Sequence, residues 1–123
     1  MPYFYKSSAV PKRELIKGAT LRTMWGDKIM MSLLETDPHS VIPIHTHPHE
    51  QAGIVMEGEF EMTIGDEVRH MKPGDCYVIP GGVPHGVKGY SMKAVALDIF
   101  SPPREEYKPE TKKVTSEWKE VKK

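Results

Sequence analysis

Along most of this chain, short apolar runs alternate with polar positions and are cut apart by Gly and Pro. A period of two marks strands, whose successive side chains leave from opposite faces. Residues 60–64 alternate in this way, and Gly65-Asp66 is a hairpin signal of the Gly-X type that predicts a partner strand over 67–71. Further strands are predicted over 28–35 after a turn at Gly26-Asp27, over 52–56 before a turn at Glu57-Gly58, and over 76–79. Lys72-Pro73-Gly74-Asp75 and the cluster Pro80-Gly81-Gly82-Val83-Pro84 supply turn residues, with Gly58, Gly74 and Gly82 placed where φ > 0 is needed. Residues 91–100 are the most apolar run and predict the last strand. No segment before Ser101 sustains a 3.6-residue period, so the chain reads as all-β, a sandwich or a barrel. Closure into a barrel also removes the exposed edges such strands present.

Beyond Pro102-Pro103 the pattern changes, and residues 104–123 are dense in both charge signs. Val114, Trp118 and Val121 recur at i, i+4 and i+7, which fits either a short amphipathic helix or a charged tail. The 123 residues suffice for one domain with its own core. Lys plus Arg balances Asp plus Glu at 17 each, which argues against nucleic acid or an acidic membrane surface as partner. No run approaches the roughly 18 apolar residues of a spanning helix. The residues from Met1 to Lys6 lack the apolar core of a signal peptide, and the single Cys76 permits no intrachain disulfide. A soluble, cytoplasmic protein is the expectation.

The histidines carry the candidate chemistry. His45 and His47 stand two apart, so on a strand both rings leave from one face and can converge on a metal ion. Parity would send His49 and Gln51 there too, and Pro48 argues against a regular strand at this point. Glu50, or a water, is the alternative to Gln51 as a ligand. His49 reads as a rim residue that orients a ligand. His39 and His70 read as solvent-exposed, Cys76 as a small buried hydrophobe, and the eight Met residues as core and barrel lining. Asp98 interrupts the apolar run 94–100, and a carboxylate there must pair with a cation, face a polar cavity or mark the exterior. Asp98 and Phe100 share a face, so if that face lines the barrel, Asp98 points into it. Arg104, just past two prolines, suits recognition of a carboxylate at a cavity mouth. The plainer alternative is an Asp98–Arg104 ion pair that ties down the chain end.

His45-x-His47-x3-Gln51-x6-Gly58 resembles the first motif of the cupins, with Gln in the slot that usually holds Glu. Gly74-x5-Pro80-x-Gly82-x2-His85 resembles the second, with Gly89 where Asn is usual. The ending Asp98-Ile99-Phe100-Ser101-Pro102-Pro103-Arg104 is similar to the pectin-degradation cupins of the KdgF type, and the likeness spans about residues 17–107. The resemblance implies a single cupin barrel (a double-stranded β-helix, or jelly roll) over 17–107. It leaves an N-terminal arm or edge strand at 1–16 and a charged tail at 108–123. It further implies one divalent ion, with Zn, Ni, Fe or Mn as candidates, held by His45, His47, Gln51 and His85. Asp98 and Arg104 would be the catalytic pair, with Phe100 and Arg104 binding substrate. The implied activity is conversion of 4,5-unsaturated monouronates to linear keto sugars by a homodimer. The same family implies two alternatives, an oxygenase or cyclase acting on another small molecule and a non-catalytic binding protein.

Overall fold

The structure is a computed structural model that describes residues 3–108. Among them the turn residues separate ten strands: β1 (Arg13–Ile16), β2 (Ala19–Trp25), β3 (Met30–Thr36), β4 (Val41–His45), β5 (Glu50–Glu57), β6 (Phe60–Ile64), β7 (Glu67–Met71), β8 (Cys76–Ile79), β9 (His85–Gly89) and β10 (Ala94–Ser101). Every pairing is antiparallel. One sheet runs β1-β2-β3-β10-β5-β8 and the other β4-β9-β6-β7. The all-β fold expected from the alternation is therefore present. The β6–β7 hairpin and β8 have the predicted bounds, whereas β3 and β10 begin two and three residues later than the apolar runs suggest. Gly58, Gly74 and Gly82 have φ of 70°, 92° and 84°, so the turns predicted there need glycine. The tail, with Val114, Trp118 and Val121, lies outside the described residues.

Two clusters fill the space between the sheets. Val55, Tyr77, Ile79, Ala94 and Ala96 of the larger sheet pack against Phe60, Met62 and Met71 of the smaller. Ala19, Leu21, Met30, Leu34, Phe100 and Tyr107 form the second. The alternation along β10 buries Ala94, Ala96, Asp98 and Phe100 together, so Asp98 does face the interior.

Two expectations fail. Cys76 is exposed: the alternation along β8 turns Tyr77 and Ile79 inward and Cys76 and Val78 outward, on a strand at the sheet edge. Met24, Met30, Met62 and Met71 are core residues, but Met31, Met56 and Met92 are exposed, two of them on the outward faces of their strands. No helix among the described residues is long and apolar enough to cross a membrane.

Candidate metal centre

His45 closes β4 and His85 opens β9, where they are directly paired. Gln51 enters from the facing sheet on β5, and β10 brings Asp98 and Phe100. His47 belongs to no strand. It sits in the connection between β4 and β5, so a turn of the chain, not strand parity, brings its ring to the others. That connection is fixed by the cluster 80–84: the Gly82 N–H donates to the His47 carbonyl at 2.8 Å. Gly81 permits the approach, since a Cβ there would stand 2.3 Å from the Pro48 carbonyl oxygen.

The hydrogen bonds of the three rings specify their tautomers. Nδ1 of His45 meets the Pro43 carbonyl at 2.9 Å, Nδ1 of His47 the His49 carbonyl at 3.0 Å, and Nδ1 of His85 the Val83 carbonyl at 2.9 Å. A carbonyl oxygen only accepts, so each Nδ1 carries the proton. Burial holds His85 down at about 4 and also lowers His47, helped by the charge of Arg104, which keeps both rings neutral near pH 7. Their Nε2 atoms are then bare lone pairs. Gln51 donates its Nε2 to Asp98 Oδ1 at 3.1 Å, which turns its Oε1 toward His47 Nε2, also 3.1 Å away.

His47 and His85 therefore present Nε2 to Nε2 at 3.2 Å. The ligand atoms of His45, His47 and His85 all lie within 4.8 Å of one another. Acceptors facing acceptors at this range repel each other unless a cation stands between them. Donors about 2.0–2.1 Å from one ion are about 2.8–3.4 Å apart at octahedral or tetrahedral angles. The His47–His85 and His47–Gln51 spacings of 3.2 and 3.1 Å fall in that range, and with His45 within 4.8 Å the group could hold a single divalent ion. Glu50, the alternative to Gln51, is exposed. His49 contributes its backbone carbonyl, which orients His47, while its own Nδ1 is buried without a partner. His39 and His70 are exposed, and His70 is paired with Glu59.

Asp98 is buried, and loss of solvent raises its carboxyl to about 6 against the opposing pull of two hydrogen bonds. Both bonds, from the Tyr77 hydroxyl and from Gln51, end on Oδ1. Burial and the neighbouring Asp98 push the Tyr77 hydroxyl well above its ordinary range. Arg104 is buried but does not pair with Asp98. Its Nε donates to Glu106 at 2.8 Å and its Nη1 to the Tyr107 hydroxyl at 2.8 Å, so the ion pair envisaged with Asp98 is replaced by one with Glu106. The guanidinium lies 4.0 Å from the Tyr107 ring centre and 5.4 Å from that of Phe100. Thr23 fixes this segment through the Tyr107 carbonyl at 2.9 Å. His45, Gln51, His85, Asp98, Phe100 and Arg104 line one cavity of about 590 Å³, which counts space continuous with solvent.

The sequence reading missed Tyr77 and Gly53. Across the sheet Asp98 is paired with Gly53 and Gly53 with Tyr77, and the Tyr77 side chain crosses over the glycine to reach Asp98. A Cβ at residue 53 would stand 2.3 Å from Tyr77 Cζ and 2.5 Å from Asp98 Oδ1. The signal was there to read: an isolated glycine in an apolar strand marks a close approach. Gly53→Ala is expected to cost about 1–3 kcal/mol in chemical denaturation, as overpacking does. Tyr77→Phe, which removes the crossing hydroxyl, should cost less in the Gly53→Ala background than alone. Additive losses would place the two residues in separate environments.

The Cupin domain family matches residues 32–100. The chain is 30% identical over 109 residues to the pectin degradation protein KdgF of Dickeya dadantii (strain 3937), covering 87% of this chain and 99% of that protein. Among solved structures it is similar to KdgF from Halomonas sp., with a TM-score of 0.80 and 26% identity over 86% of this chain and 98% of that one. An RmlC-like cupin from Shewanella frigidimarina shares the fold, with a TM-score of 0.81 and 23% identity over 87% and 96% of the two chains.

Proposed function

The chain belongs to the cupin family and is a relative of KdgF, and from that premise we propose that it converts 4,5-unsaturated monouronates to linear keto sugars with the help of one divalent ion. The observation that carries the reading is the shared cavity: His45, Gln51 and His85, with His47 against the last two, open onto the same space as a buried carboxyl and a buried guanidinium. His45, His47, Gln51 and His85 are the residues that would hold the ion. They add no negative charge, so the bound ion supplies a strong Lewis acid to a substrate carboxylate or hydroxyl.

In such a uronate the C4=C5 double bond carries the ring oxygen on C5. Opening breaks the C1–O5 bond; the C1 hydroxyl loses its proton as C1 becomes an aldehyde, and C4 gains a proton as C5 becomes a ketone. The product has the same atoms and electrons as the substrate, so no oxidant or co-reactant enters. Asp98 is the group that moves the proton, because Tyr77 and Gln51 both hold Oδ1 and leave Oδ2 for the substrate. Arg104 keeps its Nη2 for the uronate carboxylate, its Nε and one Nη1 hydrogen being used by Glu106 and Tyr107. Phe100, against both Arg104 and His47, offers an apolar surface to the sugar ring.

A second copy of the chain is part of this reading. Two outward rows of the larger sheet, Met31–Ile99–Ala52–Val78 and Leu33–Leu97–Ile54–Cys76, are apolar and contiguous. Met31, Ile54 and Val78 are exposed there, as expected of a face that another chain covers. Sedimentation of a dimer supports that arrangement, and a monomer at high concentration contradicts it.

The function is tested by incubating the metal-loaded protein with unsaturated galacturonate or mannuronate monomers and following loss of the enol-ether absorbance. A rate well above the spontaneous one is expected with an active ion. No acceleration with Zn, Ni, Fe or Mn removes the reading. Oxygen uptake with Fe(II) would support an oxygenase instead, and binding without turnover a non-catalytic protein.

A further inference from the structure

One polar row crosses the inner face of the larger sheet, with Thr23, Ser32, Asp98 and Tyr77 in register around Gly53. The Thr23 hydroxyl donates to the Tyr107 carbonyl and that of Tyr77 to Asp98. Ser32, in the middle of the row and 1% exposed, has no partner for its Oγ. A buried hydroxyl left unpaired weakens a fold, and such groups persist where function uses them. Ser32 is the direct cross-strand partner of Asp98, which sets the two Cβ atoms about 4.5–5.5 Å apart. It also lines the cavity that holds His45, Gln51, His85 and Arg104.

We infer that Ser32 Oγ binds a hydroxyl of the sugar-acid substrate, next to the atoms that react at Asp98. The inference rests on the uronate reading above. A serine hydroxyl donates and accepts at once, which matches the hydroxyl of a neutral sugar carbon, while the substrate carboxylate goes to Arg104. Thr36 also has a buried hydroxyl without a partner and lines the same cavity, but it pairs with Ala94 four residues further along β3. That is about 13 Å away, beyond the span of a single sugar ring whose reacting carbon sits at Asp98. Thr36 is therefore the control.

Ser32→Ala, Thr36→Val and the unaltered chain are compared in metal content, in kinetics on the unsaturated uronate, and in melting temperature without substrate. Ser32→Ala is expected to lower kcat/KM about three- to ten-fold, the size of one lost hydrogen bond. The loss should lie mainly in KM, with metal content kept and the melting temperature a few degrees higher. Thr36→Val should leave the kinetics unchanged. Unaltered kcat/KM in Ser32→Ala overturns the inference while the uronate reading stands. A lower melting temperature in that variant also overturns it, because Oγ is then bonded within the protein. If the unaltered chain turns over no uronate, the uronate reading fails first and Ser32 loses its role with it.

Discussion

Protein purified with His85→Ala is expected to carry only background metal, where the unaltered chain carries a full equivalent by elemental analysis. His85 supplies one of the two Nε2 atoms that face each other at 3.2 Å, so its removal opens the donor set at its most crowded point. Loss of contacts that merely orient ligands weakens metal binding about 10–100-fold, and loss of a ligand should exceed that range. His45→Ala should behave likewise, while His70→Ala, exposed and bonded to Glu59, should keep its metal. Melting temperature gives a second reading. An ion that binds only the folded chain stabilises it by mass action, so chelation should lower the unaltered protein's transition and leave His85→Ala unmoved. Full metal content in both His45→Ala and His85→Ala would show that the ligands lie elsewhere.

Asp98→Ala is expected to lower kcat on unsaturated uronate by about 10²–10⁴-fold, the usual contribution of a positioned acid or base, with metal content unchanged. Asp98→Asn is the sharper form of the test. Its amide oxygen can still accept from Tyr77 and Gln51, so the Gln51 Oε1 keeps its direction toward His47 while the carboxyl chemistry is lost. If both variants open the sugar at the unaltered rate, Asp98 is a structural residue that anchors Gln51 and Tyr77. If Asp98→Ala loses metal and Asp98→Asn does not, the oxygen that accepts from Gln51, and not the negative charge, acts on the ion by orienting Gln51.

How far these residues could be read from the sequence depends on whether the signal is local. The β6–β7 hairpin was legible because Gly65-Asp66 states its turn and the flanking runs alternate cleanly. The inward face of β10 was legible because a period of two ties Asp98 to Phe100 whatever lies beside them. β1, β2, β4 and β9 were not assigned, since Arg, Thr and His interrupt their apolar positions and Pro43 falls inside β4. Strand parity gave His47 a face, yet a turn positions that residue, and its geometry depends on a bond from Gly82, thirty-five residues away. Cys76 was misread because a short apolar run at a sheet edge looks the same whichever face is buried. Gly53 carried a local signal as an isolated glycine in an apolar strand, but the roles of Tyr77 and Ser32 required knowing that β8, β5, β10 and β3 are neighbours, which is register information and does not reside in any one segment.

The X-ray absorption spectrum of the metal-loaded protein tests the centre most directly. Three imidazole nitrogens about 2.0–2.1 Å from the ion are expected, together with an oxygen donor and no sulfur. A sulfur scatterer, or a single imidazole in the first coordination sphere, would contradict it.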